Sequence, residues 1–310
     1  MDGPKAANSP VGPPVLVIGA TGVVGRPIVR GLHARGIPVR VMGRDRARAA
    51  AASPAGVSVV QGDLADIRSL RQAAAGCRAV VTAVANPLRR RRPRFDPDRE
   101  GMANLVTALR SIGRPHLVRV SAIAIEAGAD DWWAASNKLA ADDLVATSDL
   151  PFTILRPTWF IESLGTTAFG PVLGQLPAPA DRPLWWIAGA DFAALVANVL
   201  AGGDRTRDRI LDVQGAESLS VAAATRTFAR AWRGYLVRLP GPRPVLDLAG
   251  RMVEAPAYLG QLLDYTFTHV AAVPRDAAAE ADAIHRPTLT VADTAADMFQ
   301  RGDLPRKRLA

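Results

Sequence analysis

The sequence predicts an α/β protein: a doubly wound parallel sheet followed by a smaller, mainly helical C-terminal region. Three observations predict it. Short β-branched runs alternate with helical segments from Val15 onward, which is the pattern of βαβ units. Several of those runs are apolar throughout rather than alternating, as strands covered on both faces are. A glycine-spaced turn joins the first strand to the first helix.

Val15-Leu16-Val17-Ile18 reads as a buried strand ending at Gly19. Residues 23–35 follow as a helix, with Val24, Ile28, Val29 and Leu32 on one face, closed by Gly36. Residues 39–42 are a second strand, 45–52 an Ala/Arg-rich helix, 57–60 a third strand and 67–75 a third helix. Residues 79–84 are a fourth strand. Residues 99–111 place Met102, Leu105, Val106 and Leu109 at core spacing on a helix. Residues 117–120 are a fifth strand, 132–147 a helix, and 152–155 a sixth strand stopped by Pro157. This divides the chain into a tail over 1–13, a nucleotide-binding unit over 14–157 and a substrate-binding region over 158–310. The last is less regular. It carries strands at 184–187 and 210–213, helices at 191–201 and 220–232, helix through much of 244–268, and a last helix at 293–300. Residues 171–183, punctuated by Pro177 and Pro179, form the best mobile-loop candidate.

At 310 residues, 49% hydrophobic and 22% charged, the chain can bury a core without staples, and a disordered or fibrous chain is excluded. No apolar run reaches the ~18 residues of a membrane helix. Residues 1–14 hold no apolar signal core, so a cytoplasmic protein without membrane contact is expected. The single cysteine, Cys77, allows no intrachain disulfide and no cysteine-built metal site. No histidine pair has metal-ligand spacing, so no metal is expected. The net charge of +9 rests on arginine, with lysine only at Lys5, Lys138 and Lys307. The run Arg89, Arg90, Arg91, Arg92, Pro93, Arg94 reads first as a solvated loop. An arginine reaching a phosphorylated ligand is a second reading. Nucleic-acid binding is the third, with no zinc-finger or RNA-binding signature beside it, and is not expected.

Gly19-Ala20-Thr21-Gly22-Val23-Val24-Gly25 lies between the first strand and first helix. Gly19 permits the tight turn, Gly22 lets backbone approach a pyrophosphate, and Gly25 lets helix pack on strand. Thr21, Val23 and Val24 complete this Rossmann-type cradle, where the pyrophosphate meets free N–H groups at a helix N-terminus. An NAD site wants an acidic residue after the second strand. This chain has Gly43-Arg44, and an arginine there can bind a 2′-phosphate and stack on adenine. Asp45 is assigned to capping the next helix. NADP(H) is therefore preferred, with NAD(H) open. After the third strand, Asp63 and Leu64 border the adenine. Asp63 either accepts from the adenine amino group or caps the helical segment starting at Asp66. Ala83, Val84 and Ala85 end the fourth strand at the same ligand-binding edge, with Asn86 next on the substrate side.

Together these residues resemble the atypical branch of the short-chain dehydrogenase/reductase superfamily, which includes NmrA-like and isoflavone-reductase-like proteins. Two further blocks strengthen the resemblance. One is Lys138, Asp143 and the stretch from Asp149 through Arg156-Pro157-Thr158-Trp159-Phe160. The other is Gly189-Ala190-Asp191-Phe192-Ala193 with Leu211-Asp212-Val213-Gln214-Gly215. The resemblance covers about residues 14 to 235. It implies nicotinamide binding across the sheet edge, with Ser121 beside the nicotinamide ribose and Pro157, Thr158 and Phe160 against the ring.

Most catalytic members carry Tyr-x-x-x-Lys on the helix after strand five, both on one helical face. Here the lysine is Lys138 and the tyrosine position is Ala134; the only tyrosines are Tyr235, Tyr258 and Tyr265. Lys138 and Ser121 are the candidate catalytic residues. Lys138 can polarise a carbonyl oxygen or bind ribose hydroxyls. Ser121 either bonds ligand or satisfies backbone. His116 starts a strand at the wrong end of the sheet and is assigned a structural role. Trp132, Trp133, Trp159, Trp185 and Trp186 stand where they can face the cleft, though core packing is available to each. With Asn86, the last four make the candidate substrate pocket. The leading expectation is an NADPH-dependent reductase of a small hydrophobic carbonyl, quinone or enone, acting as monomer or homodimer. The alternative, favoured by the missing tyrosine, is a non-catalytic NADP(H) sensor or assembly protein.

Overall fold

β1 (Val15–Ile18) is buried along its whole length, as the centre of a sheet covered on both faces must be. The protein is seen here in a computed structural model that describes residues 12–84, 94–169, 172–175, 179, 181–238 and 254–304. After β1 the chain runs through α1 (Gly25–Ala34), β2 (Val39–Gly43), α2 (Arg46–Ala51), β3 (Ser58–Gln61) and α3 (Ile67–Ala74). It continues through β4 (Ala79–Thr82), α4 (Glu100–Arg110), β5 (His116–Val120), α5 (Trp133–Ala146) and β6 (Phe152–Pro157). Each expected strand–helix alternation of the first half is present.

Beyond β6 come β7 (Ala168–Phe169), β8 (Val172–Gln175), β9 (Leu184–Trp186), α6 (Gly189–Ala201) and β10 (Arg209–Val213). Then follow β11 (Glu217–Leu219), α7 (Val221–Trp232), β12 (Tyr235–Arg238), α8 (Glu254–Thr268), α9 (Ala279–Ile284) and α10 (Val291–Gln300). The main sheet has seven strands in the order β10-β6-β5-β4-β1-β2-β3, every pair parallel. The strand order reverses beside β1, and the crevice beyond the strand C-termini there is where such sheets bind ligand.

The alternation of side chains along β1 divides the core. Val15 and Val17 join Phe192, Leu195 and Val199 of α6 on one face. Leu16 and Ile18 join Leu70, Met102 and Leu105 on the other, as a period of two requires. α6 and β10, read from sequence as part of the second half, therefore close the sheet of the first. A third apolar cluster gathers Ile123, Trp132, Trp186, Phe228, Trp232 and Met298 beyond the sheet. Asp191 in the first turn of α6 ties the C-terminal segment down, its carboxylate accepting from the backbone N–H of Thr288 (2.9 Å) and Leu289 (2.8 Å).

Several expectations shift. The stretch proposed as a mobile loop contains β8, which pairs with β12 and β7. α10 starts at Val291 rather than Asp293, because Thr290 and Asp293 form a capping box. Residues 1–11, most of the arginine run, Ala85 and Asn86 lie outside the described residues, as does part of the helix expected over 244–268.

Candidate functional site

The turn after β1 is built by close approach. A Cβ on Gly19 would lie 2.4 Å from the Ala83 carbonyl oxygen, and one on Gly25 2.1 Å from the Gly19 carbonyl oxygen. Glycine at these two places lets the turn sit on the end of β4 and α1 sit on the turn. The Gly22 N–H donates to the Gly19 carbonyl at 3.0 Å, and Arg26 Nε donates to the Thr21 carbonyl at 3.1 Å. α1 starts with no side-chain cap and no acidic residue in its first turn. The Arg26 N–H already donates to the Gly22 carbonyl and Pro27 has no N–H, so the N–H groups of Val23, Val24 and Gly25 and the positive end of the helix are what is left for an anion. Val23 is an exposed apolar residue beside them. These residues fit a dinucleotide pyrophosphate.

At the end of β2, Asp45 is spent as the cap of α2, accepting from the Arg48 N–H at 3.0 Å. Arg44 stands exposed next to it. Asp63 has one carboxylate oxygen turned to the Ala65 N–H at 3.0 Å, while Asp66 caps α3. Asp63 is therefore not the cap of α3, as its place before Asp66 had allowed; it braces the turn that leads into the cap. Leu64 is buried, and its carbonyl accepts from Asn104 of α4 at 2.9 Å.

A cavity of about 290 Å³ opens beyond the C-terminal ends of β1, β4, β5 and β6. It starts at Val23, Val24, Ala83 and Val84 and reaches Pro157, Thr158 and Phe160. One wall is charged: Ser121, Lys138 and Asp98. The other is apolar: Trp132, Trp159, Leu262, Tyr265 and Val270.

The charged wall is one ion network. Arg119 of β5 has no exposed surface; its Nε donates to Asp142 at 2.8 Å and its Nη2 to Asp98 at 3.1 Å. Lys138 Nζ stands 3.5 Å from the same Asp98 oxygen. The second oxygen of Asp142 accepts from Ser121 Oγ at 2.9 Å and from Arg156 Nε at 3.0 Å. Arg156 also pairs with half-exposed Glu126. Unpaired, any one of these buried charges would be strongly destabilising; together each finds a partner.

Sequence reasoning missed Asp98, Arg119 and Asp142. It singled out Asp143, which is exposed. Two signals were present. Arg119 interrupts an otherwise apolar buried strand, and a charge there demands a partner. Asp142 is four residues after Lys138 and so shares its helical face. Neighbouring Asn137 donates to Asp96 at 2.7 Å, so adjacent residues of α5 both hold the loop before α4.

The structure fills the tyrosine gap differently. Ala134 lines the cavity, and among the described residues the tyrosine lining it is Tyr265, from α8. Its hydroxyl donates to the Ile123 carbonyl, and its ring lies 4.8 Å from that of Trp132. Burial pushes the phenol pKa up, so it stays protonated, with its one proton committed to backbone. Tyr265 is a clamp holding α8 against the segment after β5. The neighbouring Ala124 adopts φ +60°, a strained conformation for a residue with a Cβ.

The tryptophans separate. Trp159 lines the cavity, its Nε1 donating to Thr266 at 3.2 Å. Trp133, Trp185 and Trp186, expected in the substrate pocket, do not line it. Trp133 packs half-buried against the third apolar cluster. Trp185 lies under the Arg275 guanidinium, 5.3 Å from its ring centroid. Trp186 is fully buried and donates to the Leu219 carbonyl. His116 bonds Thr153 at 2.8 Å; burial pulls its pKa down to about 4, fitting a structural role.

Residues 19–202 match the family described as NAD(P)H-binding. The chain is 30% identical over 220 residues to the (4-alkanoyl-5-oxo-2,5-dihydrofuran-3-yl)methyl phosphate reductase of Streptomyces griseus, covering 70% of this chain and 73% of that protein. It is 28% identical over 221 residues to the NAD(P)H azoreductase of Xenophilus azovorans, covering 68% and 72%. The fold is similar to that of the NADPH-dependent quinone oxidoreductase QOR2 of Escherichia coli, crystallised with NADPH. The TM-score is 0.69 at 18% identity, over 92% of this chain and 99% of that one.

Proposed function

We propose, from the premise that this chain belongs to the NAD(P)H-binding family within the atypical short-chain dehydrogenases/reductases, that it is an NADPH-dependent reductase of a flat hydrophobic carbonyl, quinone or enone. The observation that carries this reading is one cavity joining the glycine turn to a lysine-bearing wall and an aromatic wall.

Bound there, the nicotinamide supplies a hydride. The rest is the work of the chain's own residues. The N–H groups at the start of α1 hold the pyrophosphate, and Arg44 takes the 2′-phosphate. Pro157, Thr158 and Phe160 back the reacting ring. Trp132, Trp159 and Leu262 flatten the acceptor and exclude water, which strengthens any charge–dipole contact inside. Lys138 donates to the oxygen that gains negative charge. The Ser121 hydroxyl donates its hydrogen bond to Asp142, so its oxygen serves as an acceptor.

The missing tyrosine supports a second reading, a protein that binds NADP(H) without turnover. Calorimetric titration separates the cofactor question from the catalytic one. NADPH is expected to bind more tightly than NADH, and Arg44→Ala to weaken NADPH binding by about tenfold or more, the scale of a charge-assisted bond. NADH binding is expected to fall much less, since only the stacking on adenine is lost. Equal losses for both cofactors would contradict the role of Arg44. NADPH binding without oxidation in the presence of quinone, aldehyde or enone acceptors would support the second reading.

A further inference from the structure

Glu162 is a buried carboxyl that the chemistry of the cavity does not use. It lies in the short helical turn Ile161–Thr167, between Phe160 and Ser163, which both line the cavity. Its Oε1 accepts from the Gly189 N–H at the start of α6 at 2.8 Å. Its Oε2 is buried and has no hydrogen-bond partner. The ionised form is costly in such a place, because burial takes water from it and leaves one oxygen without a donor.

Glu162 also stands behind the helix that receives the pyrophosphate. A Cβ on Gly189 would lie 2.7 Å from Glu162 Oε1 and 2.5 Å from Pro27 Cγ. The carboxyl, the start of α6 and the first turn of α1 therefore meet at one point. The charged groups around that point are committed elsewhere. On α1, Arg30 pairs with Asp303 at 3.1 Å. At the end of α10, Arg301 pairs with Asp297, and with Asp303 at 3.0 Å. In the first turn of α6, Asp191 accepts from the Thr288 and Leu289 N–H groups and faces His285 at 3.2 Å. Burial pushes the Glu162 pKa up to about 7; its own and the Gly189 N–H groups, and the charges of Arg301 and Arg30, lower it by less. Near neutral pH the group is divided between its two forms. A pyrophosphate docking at the start of α1 brings negative charge to the same junction, and a nearby like charge disfavours the ionised form.

We propose that dinucleotide binding takes up a proton at Glu162, so that this carboxyl makes cofactor affinity depend on pH. The proposal rests on dinucleotide binding at the glycine turn. The proton comes from solvent and turns a carboxylate into a carboxylic acid, and no bond to the cofactor forms. Where Glu162 is already neutral, binding is indifferent to it. Where it is ionised, binding must draw in a proton, so affinity falls as pH rises. The 2′-phosphate of NADPH acts in the opposite sense. Its second ionisation, at about 6, strengthens the pairing with Arg44 as pH rises.

The test is calorimetric titration of wild type and Glu162→Gln with NADH, which has no 2′-phosphate, and with NADPH. Each titration is run in two buffers of different ionisation enthalpy and repeated across pH. Wild type is expected to take up roughly a few tenths of a proton from NADH binding near neutral pH. Its NADH affinity is expected to fall about threefold to tenfold from about pH 6 to about pH 8.5, the scale of a pKa raised by up to about one unit. Glu162→Gln keeps the shape of the neutral carboxyl and is expected to lose the uptake and most of that fall. If NADH binds too weakly to titrate, the difference between the two proteins with NADPH reads the same quantity, because the 2′-phosphate is common to both. If the variant does not fold, difference infrared spectra of wild type on adding NADPH serve instead, and a rise in the protonated-carboxyl band is expected. Binding without proton uptake, or without that rise, would overturn the proposal. So would equal uptake in both proteins, which assigns the proton to another group such as His285. A wild type that binds neither cofactor would contradict dinucleotide binding itself, and this proposal would fall with it.

Discussion

The charged wall of the cavity and its aromatic wall are held by different physics. The charged wall comes from β5, α5, β6 and the loop before α4; its charged side chains are fixed by partners of opposite sign and Ser121 by a hydrogen bond to Asp142. The aromatic wall comes largely from residues beyond the sheet, and it is fixed by packing and a few single hydrogen bonds such as Tyr265 to Ile123 and Trp159 to Thr266. An ion network is intolerant of losing one member, because removal leaves a buried charge uncompensated. An apolar wall degrades by degrees, with the volume removed. The wall that handles a developing charge is thus the rigid one, and the wall that selects the acceptor is the one that can vary.

Arg119→Ala is the sharpest way to break this contrast. It strips both Asp98 and Asp142 of their shared cation, and a loss of about 3–5 kcal/mol in urea unfolding is expected. A loss under 1 kcal/mol would mean that the network is not what holds the wall. A smaller effect is expected from Glu162, the buried carboxyl just after Phe160. It accepts from the Gly189 N–H at the start of α6 at 2.8 Å. Burial raises its pKa from 4.5 to about 7. The folded protein then keeps a proton that the unfolded chain releases. Its contribution is complete below pH 4.5 and fades as pH rises through about 7. Stability should fall across that window by up to about 3 kcal/mol. Glu162→Gln should flatten the fall in unfolding curves measured across this pH range. An equally steep fall in the variant would assign the effect to other groups.

The two walls were also unequally legible in the sequence. Strands β1 to β6 and the helices between them are local patterns, and their periods alone mark them. The glycine turn was legible because close backbone approach admits no other residue at Gly19 and Gly25. The seventh strand, β10, was recognised as a strand but not as part of the sheet, since parallel pairing with β6 requires a long crossover. Lys138 stood out as a lysine in an arginine-rich chain. Its partner Asp98 did not, because the contact spans 40 residues of chain. Tyr265 reaches Ile123 across 142 residues, and no local pattern carries that information. The tryptophan pair Trp185-Trp186 shows the opposite failure. Bulk and hydrophobicity suggested a pocket, but strand alternation turns one ring into the core and leaves the other under Arg275.

The measurement that tests the central claim most directly is oxidation of NADPH, followed by its nicotinamide absorbance, with a quinone as acceptor. Wild type and Lys138→Met are compared at saturating NADPH. Wild type is expected to consume NADPH, and the variant to do so about a hundredfold more slowly, the lower end of what a positioned proton donor contributes. A wild type that binds NADPH yet consumes none with quinone, aldehyde or enone, or a variant as fast as wild type, would contradict it.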